Sequence, residues 1–145
     1  MSETAKEKRD RLIKEAHMKY ENDKREWEKV KADIDYNDML DDDGYPTDAA
    51  LEMIERWHYS DTFGWMEFIK SIWWAADWGW TEGEEPHEWY DDKKCYRYYL
   101  STAGWSGNEA IIGAMKQNDF AWHLVWVQSR RGGHYIFELR NYGDE

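Results

Sequence analysis

The chain has 145 residues, 41% of them apolar, and a net charge of −12: enough for one ordinary core, and too acidic for a general DNA- or RNA-binding role. Eleven tryptophans and ten tyrosines supply much of the apolar volume, so buried rings need partners for their polar tips, and some rings are expected at a binding surface. The single cysteine, Cys95, excludes a disulfide framework within one chain and fits a reducing cytoplasm, and no apolar run approaches the ~20 residues of a membrane span.

Charge is unevenly spread. Residues 1–34 carry ten basic and nine acidic side chains, and residues 35–145 carry nine and 22, a net of −13. Residues 2–34 lack Gly and Pro, are rich in Glu, Lys and Arg, and predict one long helix, a charged arm over 1–34. Ile13, Ala16, Tyr20, Asp23, Trp27, Val30 and Ile34 fall at alternating steps of three and four, a heptad-type seam. Two readings stay open: self-association through residues 13–34, or a solvated helix packed on its own domain. Residues 35–46, with five acids, Gly44 and Pro46, read as an acidic linker, and residues 47–145 as a single domain.

Thr47 predicts an N-cap, and a second start follows at Ser60 or Asp61. Trp65, Phe68, Ile69, Ile72, Trp73 and Ala76 recur at helical spacing, which predicts one core-facing helix stopped at Gly79. Trp74 and Trp78 lie off that stripe, either under the next loop or in an exposed recognition patch. Residues 79–94 carry six acids and read as a loop; His87 lies among them without metal-ligand spacing, so no metal or cofactor is expected.

Residues 95–102 alternate as a strand, with Tyr96, Tyr98 and Leu100 on one face. Ser106 and Glu109 are spaced as a capping box ahead of the apolar run Ala110-Ile111-Ile112. The same turn could offer backbone N–H groups to an anion. Gly113, inside that helix, predicts close packing on a sheet. Segments 120–129 and 134–140 read as a β-hairpin closed by a two-residue Gly132-Gly133 turn. That register pairs Arg131 with His134, Ser129 with Ile136, Val127 with Glu138 and Val125 with Arg140. It puts Trp122, Leu124, Trp126, Tyr135, Phe137 and Leu139 on the core face, and His123, Arg131, His134 and Glu138 on the other.

The motifs WSGNE and SRRGGHY resemble those of a family of small uncharacterised proteins of tailed phages and prophages. Ser101, Thr102 and residues 104–109 match a STGGWSGNE-like turn, with Ala103 where the family more often has Gly. Residues 129–135 match the second motif, and the likeness covers roughly residues 47–140. The resemblance implies a phage or prophage origin, and with it the cytoplasm of a bacterial host. It supplies no activity.

The expected fold is α+β: N-terminal helices packed with a small antiparallel sheet that ends in a C-terminal hairpin. The first expected function is a non-catalytic binding module. In it Trp105, Ser106, Gly107 and Asn108 of the turn converge with Arg130, Arg131, Gly132, Gly133, His134 and Tyr135 of the hairpin tip on a small anionic or nucleotide-like ligand. A phage protein that captures a host nucleotide signal, and so counteracts host defence, fits this. The alternative is an acidic, aromatic-rich interaction protein that blocks a basic surface of a host protein. An enzyme using His134 or His123 with Glu138 has no nucleophile–base or metal signature behind it.

Overall fold

A computed structural model of the chain describes residues 2–90 and 92–139, in two units, Met1–Ile34 and Asp35–Glu145. The first unit is a single helix, α1 (Ala5–Ala32), started by Thr4, whose hydroxyl accepts from the Glu7 N–H at 3.1 Å. Arg11 bridges Glu3 and Glu15 along it at 2.9 and 3.2 Å. Such exposed pairs add only tenths of a kcal/mol (about 0.3–0.5 at this spacing), so helix propensity carries most of the arm.

The second unit is an α+β fold. Its first segment, read above as a linker, is folded: a 3-10 turn (Tyr36–Asp38) leads into a reversal closed by a Leu40–Pro46 bridge. The Asp41 carboxylate accepts from the Asp43 and Tyr45 N–H groups, both at 2.9 Å, and Gly44 takes a positive φ of 82°. The acidic run is therefore a self-capped turn. Helix α2 (Asp48–Arg56) starts at the Thr47 cap and α3 (Thr62–Ser71) at an Asp61 cap. The single helix expected to run to Gly79 ends at Ser71 instead. Ala75 sits at a left-handed φ of 59°, reversing the chain into the short α4 (Ala76–Gly79), which feeds the first strand.

The expected acidic loop at 79–94 contains that strand, β1 (Trp80–Pro86). It pairs with β2 (Lys94–Ser101), β2 with β4 (His134–Leu139), and β4 with β3 (Trp126–Arg130), giving an antiparallel sheet in the order β1-β2-β4-β3. Three glutamates hid β1, because strand-forming side chains are otherwise scarce in it. Each finds a partner: Glu82 with Lys70 at 2.6 Å, Glu84 with Lys94 at 2.8 Å, and Glu85 with the Tyr99 hydroxyl at 3.0 Å. Burial alone would push the Glu82 carboxyl up; hydrogen bonds from Lys70, Tyr96 and Trp80 outweigh it and hold the group below its usual range. A carboxyl lowered in the fold stabilises above its unfolded value and loses that contribution as pH falls through the folded one. Glu82→Gln is therefore expected to lower stability at pH 7 and to flatten the loss of stability below about pH 4.3, measured by urea unfolding across pH.

Helix α5 (Ser106–Gln117) is followed by α6 (Asp119–Val125), where a strand was expected from residue 120. Asn118 makes the difference. Its amide N–H groups donate to the Ile54 and Trp57 carbonyls at 3.0 and 2.9 Å, at the open end of α2, and its oxygen accepts from the Ala121 N–H at 3.4 Å. One side chain thus finishes one helix and starts another. In consequence Ala121, Trp122 and Val125 face the core, while Leu124 and Trp126, expected inside, are exposed. Gly113 is also unlike expectation: it is exposed, with nothing within 4 Å of a Cβ placed there. Gly113→Ala is expected to raise unfolding stability by about 1 kcal/mol, the helix-propensity difference alone, in chemical denaturation.

The core lies between the helices and one face of the sheet. Ile54, Trp65, Met66, Phe68 and Ile69 meet Ile111 and Met115, with Tyr98, Leu100 and Phe137 from the strands. The buried Trp65 indole satisfies its N–H on the Ile54 carbonyl at 3.0 Å. Among the described residues, no helix is long and apolar enough to cross a membrane.

Candidate functional site

The hairpin turn decides which arginine reaches the sheet. Arg130 pairs with His134, so the connection is a three-residue loop of Arg131, Gly132 and Gly133, in place of the expected two-residue one. Both glycines take positive φ, 92° and 80°, and a Cβ on Gly133 would collide with the Thr102 hydroxyl. A bulge between Trp126 and Gln128 shifts the register again, so Trp126 pairs with Phe137, where the expected register put it opposite Leu139. Arg131, expected opposite His134, sits exposed in the loop. Arg140, expected opposite Val125, lies outside the described residues.

Cross-strand partners share a face, which places three rows on the side of the sheet away from Tyr98, Leu100 and Phe137. Arg130, His134 and Ser101 form the first, and Gln128, Ile136, Tyr99 and Thr81 the second. Glu138, Arg97 and Gly83 form the third. In it the Arg97 guanidinium donates to Glu138 at 3.1 Å, and Glu138 is only 2% exposed. A histidine acting with Glu138 as an acid–base pair is thereby displaced: the carboxylate is committed to Arg97, and His123 engages the Asp119 carbonyl at 2.7 Å.

A cleft of about 420 Å³ opens on the first two rows, where Arg130, His134 and Ile136 meet Tyr99, Thr81 and Trp78. The Tyr99 ring is anchored by its hydroxyl on both Glu85 oxygens, at 3.1 and 3.0 Å. Trp78, 61% exposed, stands at the α4 end. Among the described residues neither Arg130 nor His134 has a carboxylate partner; Arg130 reaches only the Gln128 amide oxygen, at 3.5 Å. The cleft therefore combines a guanidinium not engaged by a carboxylate, an imidazole, hydroxyls and planar rings, in a unit whose net charge is strongly negative.

The turn holds the remaining expected residues, and most are structural. The capping box does not form. Ser106 is the first helical residue, and its hydroxyl pairs with the Tyr45 hydroxyl at 2.9 Å. Asn108, wholly buried, accepts from the Trp74 N–H at 2.9 Å and donates to the Trp74 carbonyl at 3.1 Å and the Thr102 carbonyl at 3.5 Å. Gly107 leaves room for the Trp105 ring, which a methyl there would overlap. Turn and tip do touch, through the Thr102 N–H on the Gly133 carbonyl at 3.0 Å, but backbone fills that contact. Of the ten expected residues, then, the cleft gathers the side chains of Arg130 and His134; Tyr135 borders it along the strand, but its ring lies on the opposite face against Trp122 and Phe137. Tyr99 and Thr81 were missed because their row depends on β1, which went unread. The chain matches no protein-family model, no curated protein and no solved structure.

Proposed function

We propose that the chain is a non-catalytic binding module that holds a small anionic, nucleotide-like ligand in the sheet-face cleft. The observation that carries this is the row of Arg130 and His134 beside the rings of Trp78 and Tyr99. A guanidinium fork matches phosphate oxygens, and exposed rings accept a base by stacking. The cleft's ~420 Å³ falls within the ~300–1,000 Å³ common for small-molecule sites. Taken with the resemblance to tailed-phage proteins, the ligand is a host nucleotide signal and the protein a phage accessory factor that counteracts host defence in the bacterial cytoplasm. Titration of tryptophan fluorescence with AMP, GMP, CMP and UMP tests the reading. Saturable quenching is expected with at least one of them, and Arg130→Ala is expected to weaken it tenfold or more. No binding to any of the four, or an affinity unchanged by that substitution, overturns it.

A second reading draws on a different observation, the exposure of Trp74 and Trp78 on an acidic unit. Here the protein covers a basic surface of a host protein. Capture of such a partner would be lost in high salt and in Trp74→Ala. Self-association through residues 13–34 is compatible with either reading and is read out by sedimentation equilibrium.

A further inference from the structure

We propose that the ligand carries two ring systems joined through phosphate, a phosphorylated dinucleotide rather than a mononucleotide. Its second ring lies on an indole shelf formed by Trp74 and Trp105. This rests on the cleft being the binding site. Trp78 belongs to both places: it lines the cleft and meets Trp74 edge-on at 6.2 Å. Trp74 continues to Trp105 at 5.4 Å, and Trp105 to Tyr45 at 4.6 Å.

A base and one phosphate need only the cleft. The shelf is surplus to them, yet the fold maintains it against cost. Trp74 is 47% exposed, with Trp105 half-buried beside it and Trp78 exposed on its other side, and exposed aromatic patches of this kind commonly mark binding surfaces. Two non-glycine residues flank the shelf in the left-handed region, Ala75 at φ 59° and Ala103 at φ 56°. Such strain persists only where surrounding structure over-determines it. Asn108 supplies that, binding the Trp74 backbone on both sides and the Thr102 carbonyl just before Ala103. Gly107, at a helical position where Ala is intrinsically better, keeps the space under the Trp105 ring. At the far end the Tyr45 and Ser106 hydroxyls offer polar groups to a sugar or base edge. On the cleft face of the edge strand β1, past Thr81 and Gly83, stands Glu85, so a longer nucleotide strand running that way would carry phosphate toward a carboxylate. Length discrimination follows from charge.

The test compares AMP, adenosine 3′,5′-bisphosphate (pAp) and the phosphorylated dinucleotide pApA at one ionic strength, by tryptophan fluorescence. pApA is expected to bind at least tenfold more tightly than AMP, and pAp to fall well short of pApA. In Trp105→Ala, and in Gly107→Ala, which keeps the indole but displaces it, the pApA advantage over AMP is expected to shrink below threefold. Equal AMP and pApA affinities overturn the shelf and leave the cleft standing. So does a pAp affinity matching pApA, which assigns the gain to phosphate, or an advantage that survives both substitutions. If none of the three binds, and GMP, CMP and UMP also fail, the cleft reading fails and takes the shelf with it.

Discussion

Glu138→Ala is expected to cost about 3 kcal/mol, because it leaves the Arg97 guanidinium within the sheet with only its longer 3.6 Å contact to Glu85. The two residues are register partners on β2 and β4, with side chains 17% and 2% exposed, and they meet at 3.1 Å. Their attraction only repays desolvation while both are present. The pair's presence is therefore a weak source of net stability, and its breakage is a strong source of loss. Replacing both partners, Arg97→Met with Glu138→Leu, is expected to recover most of the deficit. Guanidinium unfolding of the wild type, Glu138→Ala, Glu138→Leu, Arg97→Met and the double variant checks it; a loss under 1 kcal/mol in Glu138→Ala would mean the carboxylate reaches water.

Asn108→Ala is the second large effect, expected at about 2–4 kcal/mol. It leaves the Trp74 N–H and C=O without the amide that satisfies both, and each unsatisfied buried group costs about 1–3 kcal/mol. Asn108→Asp separates geometry from charge. It keeps an acceptor for the Trp74 N–H but turns an acceptor toward the Trp74 and Thr102 carbonyls, so it is expected to be no more stable than the alanine variant. A Trp74 indole that loses its ordered near-ultraviolet dichroism in both variants would tie this residue to the shelf. Full retention of stability in Asn108→Ala would contradict the clamp.

Much of the fold was legible because its signals are local. Thr47 and Asp61 announce their helices by spacing to the N–H they accept from, and the Trp65, Phe68, Ile69 stripe is a simple 3.6 period. The failures share a cause: side chains acting across long sequence distance. Asn118 converts an alternating segment into a helix by binding carbonyls more than sixty residues upstream. The glutamates of β1 become tolerable in a strand only because Lys70, Lys94 and Tyr99 lie beside it. Nothing local reports either fact.

The site divides the same way. Arg130 stood out as a cation, and His134 as an imidazole beside it, in an acidic background. Which arginine would face the cleft depended on one loop residue, and a single-residue slip exchanges the two faces of a strand. Ser106, Gly107 and Asn108 stood out for good reason, and the reason is construction: hydroxyl pairing, space for a ring, and backbone satisfaction. Trp78 and Trp74 were marked only as off-stripe indoles, and their place beside the cleft required the left-handed reversal at Ala75.

The proposed ligand site is the cleft between Trp78 and the Arg130–His134 row. Amide and indole NMR shift mapping of the full chain during titration with AMP tests it most directly. The expected result is that the Trp78 indole, with the Gly79, Ser101, Arg130 and His134 amides, moves first and furthest, while the exposed Phe120 and Leu124 on α6 stay in place. Shifts confined to α6, or none among the cleft residues at saturating nucleotide, would contradict it.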